Sequence, residues 1–175
     1  MDIERKHGTT LKGNPFTLIG PEIKVGQKAP NFTVLAGDLS PVTLASSKGK
    51  TRLIISVPSL DTPVCDAETR RFNEEAARLS DVETFIISVD LPFAQGRFCQ
   101  TTGIKNVKCL SDHRDVSFGK AYGTLIKELR LLSRAIFIVD ANDTVQYVEY
   151  VKEISSHPNY DAALSALKQK VAAAR

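Results

Sequence analysis

The 175-residue chain contains no tryptophan, one methionine, three histidines and three cysteines. No apolar run approaches the roughly 20 residues of a membrane-spanning helix, and the polar start of the chain lacks the apolar stretch of a signal peptide. Its 23 basic and 20 acidic residues are interspersed, and no basic run alternates with aromatic residues as it does on a nucleic-acid-binding surface. These absences predict a cytoplasmic protein that binds neither a membrane nor nucleic acid.

The odd number of cysteines argues against a disulfide framework and favours chemistry or burial for Cys65, Cys99 and Cys109. No C-x-x-C pair occurs and no histidine lies at ligand spacing, so we expect no zinc site. Because the chain also lacks a glycine-rich phosphate loop and a haem motif, we expect no cofactor. A papain-like Cys–His pair stays open as an alternative, although His113 and His157 lack the accompanying motifs.

The hydrophobic pattern predicts one α/β domain over residues 1–175, with an N-terminal β-hairpin extension in residues 1–20 that turns at Gly13-Asn14. Further strands are predicted at 32–35, 42–44, 52–57, 83–89, 107–110, 135–139 and 144–151, and helices at 63–79, 92–103, 116–122 and 160–173. Strand–helix–strand–helix–strand followed by a hairpin and a helix predicts a central mixed sheet flanked by helices. This order is typical of a thioredoxin-like fold.

Cys65 lies just after a predicted strand, at the start of a predicted helix. The apolar run 53–57 ends at Pro58, and Thr62-Pro63 combines an N-cap residue with proline at the first helical position. Cys65 therefore falls in the first helical turn, where unpaired backbone N–H groups and the helix dipole favour an anion. We interpret it as a reactive thiolate; the alternative is a buried cysteine that acts as a small apolar residue.

The charges around Cys65 indicate that the helix start is insufficient by itself. Asp66 and Glu68 lie in the same turn, and their negative charges oppose a neighbouring thiolate. A hundredfold shift of a thiol towards its anion needs about 2.7 kcal/mol, whereas a helix terminus contributes at most about 2 kcal/mol. A reactive Cys65 therefore requires a nearby cation.

The spacing of Pro58, Thr62 and Cys65 resembles the P-x-x-x-T-x-x-C signature of peroxiredoxins. The segments 59–66, 69–73, 93–99 and 132–137 are similar to those of the thiol peroxidase branch. The resemblance runs from about residue 8 to the C-terminus. It implies the peroxiredoxin form of the thioredoxin-like fold and an atypical two-cysteine mechanism.

The resemblance also implies a role for each site residue. Cys65 would be the peroxidatic cysteine, and Cys99 of the same chain would resolve it by forming an intramolecular disulfide. Thr62 would hold the peroxide through its hydroxyl, Pro58 would shield the pocket, and Arg134 would supply the required cation. The alternatives are a plain N-cap for Thr62 and a surface ion pair for Arg134.

Formation of that disulfide requires movement. Gly96 weakens the helix that carries Cys99 by about 1 kcal/mol relative to alanine, and we expect this helix and the first turn at Cys65 to unwind. Cys109 matches no catalytic position and is predicted to be a buried structural thiol.

The expected partners are hydrogen peroxide and organic hydroperoxides as substrates, thioredoxin as the reductant, and a second copy of the chain in a homodimer. Two alternatives remain open. One is a thioredoxin-like thiol–disulfide oxidoreductase without peroxidase activity, and the other is a non-catalytic α/β binding module whose cysteines merely pack.

Overall fold

The computed structural model of the protein describes residues 1–173, which form two β-sheets and four α-helices. The strands are β1 (Glu4–Leu11), β2 (Asn14–Ile19), β3 (Thr33–Leu35), β4 (Pro41–Thr43), β5 (Thr51–Ser56), β6 (Val82–Ser88), β7 (Lys108–Ser111), β8 (Leu125–Ile126), β9 (Leu131–Leu132), β10 (Ala135–Val139) and β11 (Val145–Tyr150). The helices are α1 (Pro63–Ala76), α2 (Pro92–Thr102), α3 (Ser117–Ala121) and α4 (Tyr160–Ala173), and a short 3₁₀ helix covers Leu44–Ser47.

The larger sheet is mixed and has the strand order β11-β10-β5-β6-β7-β3-β4. Strands β5, β6 and β7 are parallel to one another, and the remaining neighbours pair antiparallel. All residues of β5 and β10 are buried, as expected for central strands that are covered on both faces. The predicted central mixed sheet is thus confirmed.

Alternate residues of the central strands enter two different apolar clusters, one on each face of the sheet. Ile54 and Phe137 join Phe118 of α3 in one cluster. Ile55 and Ile136 join buried apolar residues of α1 and α4 in the other, which also contains Cys65. The candidate nucleophile therefore belongs to the core between the sheet and α1 and α4.

The N-terminal hairpin is present, but its turn differs from the predicted one. Leu11 pairs with Asn14, so the turn residues are Lys12 and Gly13, both with positive φ. Together with β8 and β9, the hairpin forms the smaller sheet, whose strand order is β1-β2-β8-β9. Those two strands were not predicted, because segments of two residues carry no detectable periodicity.

Helix α1 ends three residues earlier than the predicted Leu79. After Ala76 the backbone closes with i→i+3 hydrogen bonds, from Arg78 N–H to the Glu75 carbonyl and from Leu79 N–H to the Ala76 carbonyl, each 3.1 Å. A tighter final turn of this kind is common at helix ends. The bounds of β10 and α4 agree with the prediction.

The sheet register brings the start of β10 beside the loop that leads to α1. Strands β5 and β10 are antiparallel, with Ser56 opposite Ala135. The Ser56 hydroxyl donates a hydrogen bond of 2.8 Å to the Ser133 carbonyl. Arg134 therefore lies at the same edge of the sheet as Cys65, although the two are 69 residues apart in sequence.

Candidate active site

Asp90 fixes the loop that connects β5 to α1. Its carboxylate accepts hydrogen bonds of 2.8 Å from the Ser59 hydroxyl and from the Leu60 N–H, and one of 2.7 Å from the Ser88 hydroxyl. Pro58, at the start of this loop, is buried. Sequence reasoning missed Asp90; its place just after a buried strand was the available signal.

Thr62 is the N-cap of α1, as predicted. Its backbone is extended (φ −100°, ψ 148°), and its hydroxyl oxygen accepts a hydrogen bond of 3.3 Å from the Cys65 N–H. The same hydroxyl donates to the Ser59 carbonyl at 3.3 Å. Because the cap already uses the Cys65 N–H, that N–H does not stabilise the thiolate directly.

Arg134 supplies a cation at the sulfur of Cys65. Its Nη2 lies 3.1 Å from Cys65 Sγ, and both side chains are buried, with relative exposures of 1% and 0%. Two further contacts hold the guanidinium: Nε donates to the Ile154 carbonyl at 3.0 Å, and Nη1 pairs with the Glu68 carboxylate. The structure thus brings Cys65, Thr62 and Arg134 together, and Arg134 does not form the alternative surface ion pair.

The two acidic residues near Cys65 differ in position, which corrects the expectation that both simply oppose the thiolate. Asp66 points outward and pairs with Arg70 at 3.0 Å. Glu68 is fully buried and pairs with Arg134. The spacing of the buried residues Cys65, Glu68, Thr69 and Phe72 is that of one helix face, a signal that could have revealed the buried glutamate.

Burial raises the pKa of Glu68 to about 7, although the positive charge of Arg134 works in the opposite direction. The negative charge of Glu149 adds to the increase. Burial by itself would lower the pKa of Arg134, but the charges of Glu68 and Cys65 outweigh this effect and raise it. The guanidinium is therefore shared between two acidic groups in a setting that disfavours charge.

Cys99 lies in α2, away from the contacts of Cys65. Its sulfur is 2.9 Å from the sulfur of Cys109 in β7, and all three cysteines are free thiols. The structure therefore does not join the two cysteines that were predicted to form a disulfide. Cys109 is half-buried rather than fully buried as predicted, and its sulfur contacts a candidate reactive thiol.

A surface groove of about 430 Å³ lies beside the cap of α1. Thr62 and Pro63 form one side, and Phe98 and Thr102 of α2 form another. Both cysteine-bearing helices thus border the same groove. Pro63 and Asp66, which belong to the first turn of α1, both line it.

Residues 1–173 contain no cluster of three or more histidine, cysteine or acidic side chains that could hold a metal ion. Within the same range, no helix combines the length and hydropathy needed to cross a bilayer.

Residues 24–164 match the Redoxin family. The chain is 67% identical over 159 residues to the thiol peroxidase of Halalkalibacterium halodurans, covering 91% of this chain and 96% of that protein. It is 57% identical over 162 residues to the thiol peroxidase of Bacillus subtilis, covering 93% and 97%. The crystal structure of a peroxiredoxin-like protein from Aquifex aeolicus superimposes with a TM-score of 0.88 at 44% identity, covering 95% of this chain and 98% of that one.

The chain belongs to the thiol peroxidases of the Redoxin family. The predicted thioredoxin-like, peroxiredoxin-type fold and the predicted class of enzyme are thereby confirmed. Membership of the thiol peroxidases implies peroxides as substrates and a thiol as the reductant. The roles of individual residues remain predictions.

The raised pKa of Glu68 makes stability depend on pH. The folded chain binds an extra proton between about pH 4.5 and 7, so ionisation of Glu68 lowers the free energy of unfolding as the pH rises through this window. Relative to Glu68→Gln, we expect wild-type stability to fall by roughly 3 kcal/mol across the window, at about 1.36 kcal/mol per pH unit. Urea unfolding of both proteins at several pH values measures this difference.

Glu74→Gln is the matched control, because Glu74 is exposed on the same helix. This variant should retain the wild-type pH dependence. A stability difference between Glu68→Gln and wild type that stays constant with pH would contradict the assignment.

Proposed function

We propose that the protein reduces hydrogen peroxide and organic hydroperoxides by a two-cysteine mechanism that begins at Cys65. The thiolate attacks the terminal peroxide oxygen, so that an S–O bond forms while the O–O bond breaks. The leaving oxygen takes up a proton from solvent and departs as water or an alcohol, and Cys65 becomes a sulfenic acid. The contact of 3.1 Å between the Arg134 guanidinium and Cys65 Sγ is the observation that carries this proposal.

The neighbouring residues would act on the peroxide and on the charge. Arg134 would stabilise the thiolate, and its guanidinium would also donate to the developing negative charge on the leaving oxygen. The Thr62 hydroxyl would exchange its present partners for the peroxide. Pro58 would keep water from the sulfur, and the groove beside Thr62 would hold the substituent of an alkyl or lipid hydroperoxide.

Cys99 then attacks the Cys65 sulfenic acid, forming an intramolecular disulfide and releasing water. The two sulfurs have separate partners on separate elements, so both must leave their present contacts. Gly96 within α2 is consistent with a helix that opens easily, because glycine destabilises a helix interior. Thioredoxin would reduce the disulfide by thiol exchange in the cytoplasm.

We also propose a homodimer. Leu39, Leu91 and Phe93 are exposed large hydrophobic residues around one groove of about 330 Å³ near the start of α2. Covering such a patch removes apolar surface from water. A sedimentation mass equal to one chain would contradict this part of the proposal.

Thiol counting tests the mechanism. One equivalent of cumene hydroperoxide should remove two of the three free thiols of the wild type and none from Cys65→Ser. In Cys99→Ser it should leave a Cys65 sulfenic acid that reacts with dimedone. If the protein reduced insulin disulfides but consumed no peroxide, the thiol–disulfide oxidoreductase alternative would be favoured. If all three thiols were retained, the non-catalytic binding module would be favoured.

Replacing Arg134 with methionine removes the cation that contacts the sulfur. We expect Arg134→Met to reduce peroxide at least roughly 100-fold more slowly, as when a donor to a developing oxyanion is lost. Arg134→Lys should lie between Arg134→Met and the wild type, because it keeps the charge but loses the planar fork.

Arg78→Met, at an exposed position after the end of α1, is the control and should retain the wild-type rate. Far-UV circular dichroism verifies the fold of each variant. A wild-type rate in Arg134→Met would remove Arg134 from the mechanism.

Stabilising α2 should slow disulfide formation if this helix has to unwind. A Cβ at Gly96 has no neighbour within 4 Å, so Gly96→Ala fits without a clash. Alanine stabilises a helix interior by up to about 1 kcal/mol, which corresponds to a roughly fivefold slower step. Quenched alkylation after one equivalent of peroxide measures the rate.

Gly37→Ala provides the comparison, since a Cβ there is equally unhindered and lies outside α2. It should leave the rate unchanged. An unchanged rate in Gly96→Ala would mean that the two cysteines meet without unwinding of α2.

A further inference from the structure

Cys99 and Cys109 are positioned for a covalent link while both of their elements are folded. Their sulfurs lie 2.9 Å apart, against roughly 2.05 Å for a disulfide bond. Strand β7 places Cys109 in the sheet opposite Ile86 of β6. The buried Gln95 of α2 donates hydrogen bonds of 2.9 Å to the Leu110 carbonyl and 3.0 Å to the Ser88 hydroxyl, which holds the helix against this strand.

A disulfide between Cys65 and Cys99, in contrast, requires their two helices to unwind in part. Cys65 is anchored by Arg134 and by the cap at Thr62, and Cys99 faces Cys109. A disulfide between Cys65 and Cys99 therefore keeps the first turn of α1 and part of α2 from their folded positions. Refolding of α2 returns Cys99 towards Cys109 and favours a bond between those two.

We propose that Cys109 is a third redox cysteine, which takes Cys99 from the Cys65–Cys99 disulfide. This inference rests on the proposed function, which supplies that disulfide. Cys109 loses its proton to solvent and its thiolate attacks Cys99 Sγ. The Cys99–Cys109 bond forms as the Cys65–Cys99 bond breaks, and Cys65 leaves as a thiolate. One disulfide replaces another, so the step needs no further oxidant or reductant.

The surroundings of the leaving group favour this exchange. Thiol exchange is faster when the leaving sulfur is a stabilised thiolate, and the departing Cys65 returns to the Arg134 guanidinium. The contact with Cys99 and burial both raise the pKa of Cys109. Exchange should therefore be slower than formation of the first disulfide, so that the first disulfide accumulates before it is replaced.

Trypsin separates the three cysteines, because they lie in the peptides 53–70, 98–105 and 109–114. After one equivalent of cumene hydroperoxide, samples are quenched with N-ethylmaleimide at successive times, digested and analysed by mass spectrometry. We expect the link between 53–70 and 98–105 to appear first. It should then be lost as the link between 98–105 and 109–114 becomes the major species.

Variants distinguish the route. Cys109→Ser should stop at the first link, Cys99→Ser should form neither, and Cys65→Ser should form neither with one equivalent of peroxide. Persistence of the first link in the wild type would overturn the inference and leave the proposed function standing. Appearance of the second link in Cys65→Ser at the wild-type rate would also overturn it, because the peroxide would then act on the pair directly. Retention of all wild-type thiols would overturn both.

Discussion

The Arg134 guanidinium is the group on which the site depends, because it is a buried cation placed between two acidic side chains. It donates to Cys65 Sγ and pairs with Glu68, and the Ile154 carbonyl accepts from its remaining edge. An unpaired charge at this depth would be strongly destabilising. The raised pKa of Glu68 moderates the competition, since protonation of the carboxyl leaves more of the positive charge for the sulfur.

The same site combines close packing with the need to open. Cys65 is buried in the core, and Thr62 satisfies the start of α1, so the resting arrangement resists unwinding. In the proposed cycle Thr62 binds peroxide, and the first turn of α1 then unwinds. Helix α2, which Gly96 weakens, also opens. In that cycle the helix start acts as a switch rather than as a rigid support, and the capped helix is one of its two states.

Strong local patterns made much of the fold predictable. The continuous apolar run 135–139 and the helical spacing in 160–173 gave the bounds of β10 and α4. Strands β8 and β9 were missed because two residues carry no period, and their pairing depends on the distant hairpin. Glu68 was misjudged because a charged residue in a helix is usually solvated; here its partner comes from another element.

By itself, the sequence determined the capped helix start, the candidate nucleophile Cys65 and the family, since each depends on residues close together in the chain. Arg134 was expected only through the family resemblance. Tertiary structure decided that Arg134 reaches Cys65, that Glu68 shares the guanidinium, and that Cys99 contacts Cys109. The physical reason is sheet register: pairing of β10 with β5, and of β7 with β6, sets which distant side chains meet, and local periodicity carries no information about that pairing.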